Sequence, residues 1–341
     1  MSQENQRIEA LISQEAGAKA TITRLDPLHG GACQDNLRIE VRIDEGSWRG
    51  EHRLVLRSDA PRSLPGSLDR ADEFAVIRAA TAAGVRTPEA LWLGKDVLRE
   101  GAAAYVMRFV EGVGIGQKVL KSKDLAAARA GLPRSLAEEL AKIHGITAIK
   151  HPELFPKRDR KERVDPVGAT LDDLRASLDQ LPRPRPALEY AWAWLSANRP
   201  DAHEVTLVHG DFRTGNFLVA PAGLVAVLDW EFSHFGSPLE DLAWIAVRDW
   251  RFGELAAPIG GFTDRATFYR EYERASGRSL NRSALHYWEI VGNVKWASGA
   301  LLQGERYLSG TQRDLELIAI ARRAVEMEWE ALRLIRVGPE G

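Results

Sequence analysis

Through the first hundred residues the apolar positions fall into short runs and alternations rather than long helical stripes. Leu37, Ile39, Val41 and Ile43 alternate with polar or charged neighbours, the period-two pattern of a half-buried strand. Residues 52–58 (HRLVLRS) and 104–110 (AYVMRFV) carry short runs rich in β-formers and read as further strands. One helix is predicted among them over 69–83, where Phe74, Ile77 and Ala80 share a face and Gly84 and Pro88 end the pattern.

From about residue 113 the spacing becomes helical. Residues 134–146, 171–181, 187–198, 265–276 and 283–308 all show it, with Asn281 placed to cap the last of these. A final helix is expected to turn Leu315, Ile318, Ala321, Val325, Trp329 and Leu332 into the core at gaps of three and four. Residues 156–166, strongly charged, and 181–186, rich in proline, read as loops. Two short β-type runs, 206–209 and 224–228, interrupt the helical region and are expected as a strand pair, with Asp211 and Asp229 just beyond their ends. The sum is an α+β chain in two lobes, a small β-rich one over 1–110 and a larger helical one over 111–341.

Composition narrows the function classes. The chain of 341 residues is 45% apolar and 28% charged, ordinary values for a globular protein. A formal charge of −2 argues against a nucleic-acid partner, which usually demands a basic excess. No apolar run reaches the roughly 18 to 20 residues a spanning helix needs, so no membrane partner is expected. Cys33 is the only cysteine, which excludes an intrachain disulfide. Residues 1–7 are too polar for the apolar segment of a signal peptide, and a cytoplasmic location is expected. The oligomeric state stays open.

The carboxylates after the two short runs suggest chemistry. Phosphoryl transfer asks a protein to position an attacking hydroxyl, hold Mg2+ against the phosphates, and offset charge on the transferred group. His209-Gly-Asp211-Phe-Arg213-Thr-Gly-Asn216 supplies a carboxylate, a cation and an amide in one loop, and Asp229 follows in Leu228-Asp-Trp-Glu231. This order matches the kinase pattern in which an Asp-x-x-x-x-Asn loop precedes a metal-binding Asp. Asp211 then falls on the base, and Asn216 and Asp229 on the ligands of Mg2+, which prefers carboxylate and amide oxygens. Arg213 has two readings, a cation balancing the γ-phosphate or a surface arginine.

HGDFRTGNFLV followed by VLDWEFSHFGSPLEDLAW resembles the aminoglycoside phosphotransferase family of kinase-like enzymes. The likeness spans roughly residues 20–335, and together with VGNVKWASGALLQGERYLSG over 291–310 it is nearest to the branch that also occurs fused to acyl-CoA dehydrogenases. The resemblance implies a protein-kinase-like fold, ATP and Mg2+ as cofactors, and a small-molecule hydroxyl substrate. It implies a strand cation paired with a helix glutamate against the α- and β-phosphates. Those positions hold Arg57, where most of the wider family has lysine, and Glu73. A planar arginine fork is not equivalent to a compact ammonium, and an exposed Arg57–Glu73 surface pair is the alternative. Gly30 and Gly31 fit a turn folded over the phosphates, or a plain turn before a strand. The backbone of Arg108 and Val110 falls at the adenine hinge, and Asp241 at a position that braces the catalytic loop.

Other readings compete. Gly112-Val-Gly-Ile-Gly116 fails the dinucleotide spacing because Gln117 stands where a third glycine belongs. A catalytically silent nucleotide-binding module remains the alternative to a kinase, and the change to arginine at position 57 is what raises it. His144, on an apolar-patterned helix, reads as a packed histidine, while Trp230, Trp244, Trp288 and Trp296 are candidates for an acceptor pocket. The expected acceptor wall carries Glu231, Glu289 and Glu305 beside Lys295 and Arg306. That mixture selects neither an aminoglycoside-like nor a hydroxyacyl acceptor.

Overall fold

The computed structural model describes residues 3–28, 35–59, 66–155, 164–201 and 204–339. They divide into two compact units. One comprises Met1–Gly112 with Glu153–Phe155 and Val225–Ser233, and the other Val113–Pro152, Pro156–Leu224 and His234–Gly341.

The first unit is built on an antiparallel sheet of five strands, β1 (Ala20–Pro27), β2 (Asp35–Ile43), β3 (Gly50–Ser58), β4 (Ala90–Lys95) and β5 (Ala103–Arg108), in the order β1-β2-β3-β5-β4. The alternation in β2 does what it predicted, burying Ile39, Val41 and Ile43 with Leu54, Leu56 and Val106. Helix α1 (Gln3–Ala16) adds Ile8 and Ile12 to this core. The pattern had promised one helix here, and α1 escaped notice because those two isoleucines and Leu11 are nearly its whole apolar face. Helix α2 (Arg70–Ala82) starts where Asp69 accepts the N–H of Asp72 at 2.8 Å. Its core face carries Val76, Ile77 and Ala80 but also the fully buried Glu73. An acid on an apolar face requires a partner.

The second unit is mostly helical: α3 (Gly116–Lys121), α4 (Ala126–Ile143), α5 (Pro166–Asp179), α6 (Pro186–Ala197), α7 (Leu239–Trp244), α8 (Arg265–Ser276), α9 (Arg282–Leu308), α10 (Leu315–Arg322) and α11 (Ala324–Val337). Its short strands are β6 (Thr206–Val208), β7 (Phe217–Ala220), β8 (Gly223–Val227) and β9 (His234–Gly236). The expected strand pair does not form. β6 pairs with β9, and β8 turns back on β7, a four-residue strand that the sequence reading passed over. Asn281 caps α9 as expected, accepting from Ala284 N–H at 3.0 Å. This 27-residue helix is flanked by α5, α6, α7, α10 and α11. A Cβ on Gly292 would lie 2.7 Å from Val247, and one on Gly304 2.6 Å from Ala321, so small residues allow those close approaches.

The expected final stripe is overturned. The segment is two helices, broken at Arg323, and it buries Leu317, Ala324, Met327, Ala331 and Leu334. Leu315, Val325 and Trp329 are 72%, 59% and 54% exposed. The break resets the helical phase, so a stripe drawn through both helices marks the wrong face. No helix among the described residues is long and apolar enough to cross a membrane.

Candidate active site

In the second unit, the loop from His209 to Asn216 leaves β6 and is pinned from below by Asp241 in the first turn of α7. Asp241 is fully buried; its Oδ2 accepts from His209 N–H at 2.7 Å and its Oδ1 from Gly210 N–H at 2.9 Å. His144 Nε2 lies 3.2 Å from the same carboxylate, while its Nδ1 meets Tyr272 Oη at 2.7 Å. Burial alone would raise the Asp241 pKa, but hydrogen bonds from His144 and the His209 backbone hold it below the usual carboxylate value. Asp241 therefore braces the loop, and His144 is a packed histidine.

Asp211 is 8% exposed and its carboxylate accepts from three side chains. Asn216 Nδ2 donates to Oδ2 at 2.6 Å, Trp244 Nε1 to Oδ1 at 2.6 Å, and Arg213 Nε to both at 3.1 and 3.2 Å. Asn216 Nδ2 also donates to the Asp211 carbonyl at 3.0 Å, so its two N–H bonds are used and its amide oxygen faces the other way. The loop is compact because Gly215 adopts φ +112°, and a Cβ there would sit 2.6 Å from Arg213 Nη1. The Arg213 guanidinium stands 4.3 Å from the Trp250 ring centre, a cation–π contact rather than a loose surface position. Asp211, Arg213 and Asn216 thus come together. Trp244 had been placed only as a pocket wall; its direct bond to Asp211 depends on α7 packing and leaves no spacing signal.

In the first unit, Arg57 on β3 reaches both Glu73 of α2, at 3.3 Å, and Asp229, at 3.1 Å. Arg57 is 7% exposed and Glu73 wholly buried, which rules out the exposed surface pair. Burial lowers the Arg57 pKa, but the charges of Glu73 and Asp229 outweigh it and hold it above its ordinary value. Sequence reasoning missed Arg70 in this cluster and placed its other member, Glu231, on an acceptor wall. Arg70 pairs with Glu73, donates to Leu68 O at 2.9 Å, and lies 3.6 Å from Glu231. Burial, then the charge of Asp229, push Glu231 up to about 7. Asp229 itself takes a left-handed backbone, φ +68°, and its side chain is 31% exposed against 10% for Glu231.

Arg108 N–H is committed to Glu89 O at 3.0 Å and Phe109 N–H to Arg53 O at 3.0 Å, and Val110 lies just past the end of β5. Gly30 and Gly31, with Cys33, fall outside the described residues. Glu289 does not line an acceptor wall, because it is buried and paired with Arg251 and Arg265. Gly116, the last glycine of the false fingerprint, lies against the Phe252 ring, which leaves no room for a side chain.

A five-stranded sheet unit and a helical unit that carries this loop are the parts of the kinase-like phosphotransferase fold. A solved aminoglycoside phosphotransferase candidate from Ralstonia eutropha superposes with a TM-score of 0.75 over 98% of both chains, at 20% identity. A choline/ethanolamine kinase family protein from Mesorhizobium loti gives 0.57 over 98% of this chain and 100% of that one, also at 20% identity. Residues 25–278 match the phosphotransferase enzyme family, and the chain belongs to it. Mouse acyl-CoA dehydrogenase family member 11 is 32% identical over 205 residues, 57% of this chain and 25% of the relative. Mouse acyl-CoA dehydrogenase family member 10 is 28% identical over 212 residues, 57% of this chain and 18% of that relative. The chain therefore spans about a quarter or less of the length of these relatives. The likeness expected from the catalytic-loop residues is borne out.

Proposed function

We propose that the chain is a small-molecule kinase acting in the cytoplasm, transferring the γ-phosphoryl group of Mg-ATP to a hydroxyl of an aminoglycoside-like or hydroxyacyl compound. The observation that carries this reading is the Asp211 carboxylate, fixed by Asn216, Arg213 and Trp244 on a loop braced by Asp241. Asp211 accepts the proton of the acceptor hydroxyl as its oxygen bonds to the γ-phosphorus and the bond to ADP breaks. Arg213 offsets charge on the transferred group. The Asn216 amide oxygen and the Asp229 carboxylate are each a donor type that Mg2+ prefers, and the orientation of Asn216 favours that use. Mg2+, when bound, would neutralise phosphate charge. Arg57, supported by Glu73, takes the place of the usual lysine; the backbone of Arg108 and Val110 serves adenine, and Gly30 and Gly31 the phosphates.

A silent nucleotide-binding module is the second reading, and one observation favours it: Arg57 already engages Asp229. The two separate in a screen of hydroxyl compounds for ADP release from Mg-ATP, with Asp211→Asn as the blank. A compound turned over by the native chain and not by the variant supports the kinase. Tight ATP binding with no compound turned over across the screen supports the module.

A further inference from the structure

An aspartate carboxylate rotates easily about its last bond, because that torsion is broad and two-fold. If Asp211 is a base, something must fix its plane. Asn216 holds Oδ2 from within the loop, and Trp244 Nε1 holds Oδ1 at 2.6 Å from α7, thirty-three residues away. Short N–H bonds to a carboxylate are the strong kind. The indole is itself wedged: Lys295 Nζ lies 5.5 Å from its ring centre, and Trp250 packs beside it at 5.8 Å with the planes 55° apart. Trp250 rests in turn against Trp296. An indole also donates only, so it neither takes the acceptor's proton nor competes with the hydroxyl for a donor.

We propose that Trp244 is a positioning residue, whose indole N–H locks the Asp211 carboxylate in the plane that receives the acceptor proton. This rests on the reading of Asp211 as the base. Turnover is measured as ADP release from Mg-ATP with water as the acceptor, and the Trp244–Asp211 bond is followed through the indole N–H resonances of the 15N-tryptophan-labelled full chain. Trp244→Phe keeps the ring and removes the donor; it is expected to lower kcat about ten- to a hundredfold, the scale of a misplaced catalytic group, with the KM for ATP within about twofold. Trp244→His, which retains a ring N–H, is expected to recover part of the loss. In the spectrum, Asp211→Asn is expected to shift one indole resonance strongly, the same one that Trp244→Phe deletes. Wild-type kcat in Trp244→Phe, or an indole spectrum indifferent to Asp211→Asn, overturns the inference. Should Trp244→Phe fail to fold, the Asp211→Asn spectrum with the Trp244→His rate decides. Unchanged turnover in Asp211→Asn would instead sink the reading of Asp211, whatever the Trp244 variants do.

Discussion

Asp211 and Asp229 each stand just beyond a short strand, and their surroundings differ in kind. Around Asp211 the partners are two neutral N–H groups, from Asn216 and Trp244, and one arginine that also stacks on Trp250. Around Asp229 they are charges: Arg57 and Arg70 set against Glu73, Glu231 and Asp229 itself. Neutral donors give a carboxylate a direction while leaving the local charge balance alone. A cluster of two cations and three acids gives its members little direction but makes each depend on the others and on pH. The first arrangement suits a group that must face one atom; the second suits a region that receives additional charge from outside.

The contrast is tested most severely by removing one carboxylate. Asp211→Asn is expected to lower turnover of an accepted hydroxyl compound by about 10²–10⁴-fold, the usual worth of a general base, read as ADP release. A loss below tenfold would remove the distinction between the two sites. The next effect belongs to the charged cluster. Arg57→Met leaves buried Glu73 short of a partner and is expected to cost about 3 kcal/mol or more in urea unfolding. Arg213→Met, at a half-buried pair, is expected to cost less, about 1.5 kcal/mol. Equal losses would mean that the two arginines do the same structural work.

The last effect is a pH dependence. Glu231, pushed up to about 7, holds a proton in the folded chain at pH values where the unfolded chain has lost it. Its contribution to stability is therefore present at low pH and falls as pH rises from the ordinary glutamate range through about 7. Glu231→Gln keeps the neutral shape. It is expected to match the native chain near pH 5 and exceed it by about 1–3 kcal/mol near pH 8, measured by urea unfolding at both values. A variant no more stable than native at pH 8 would show that Arg70 and Arg57 already compensate the ionised acid.

What could be read from sequence was what the chain writes locally. Helix α8 matches its expected limits at both ends, because Asp264 caps it through Thr267 N–H and Gly277 closes it at φ +70°. The spacing of Asp211 and Asn216 was equally legible, since their five-residue separation lets one loop bring them together. Arg70 and Trp244 were missed as partners because their contacts depend on how α2 and α7 are packed. Glu289 was misjudged for the same reason: its partners Arg251 and Arg265 stand 38 and 24 residues away. The stripe through α10 and α11 failed on a local event, the interruption at Arg323, that apolar periodicity does not register.

The left-handed backbone of Asp229 has a consequence for which sequences can occupy this fold. Glycine, asparagine and aspartate enter that conformation most readily, and of the three only aspartate brings a negative charge. Glutamate matches the charge but not the backbone. In a saturation library selected for nucleotide binding, position 229 should therefore tolerate fewer replacements than Glu231 two residues on, with glutamate depleted alongside the uncharged residues. The local geometry acts as a filter on ancestry and design alike, narrowing the alphabet at one position before any ligand is considered.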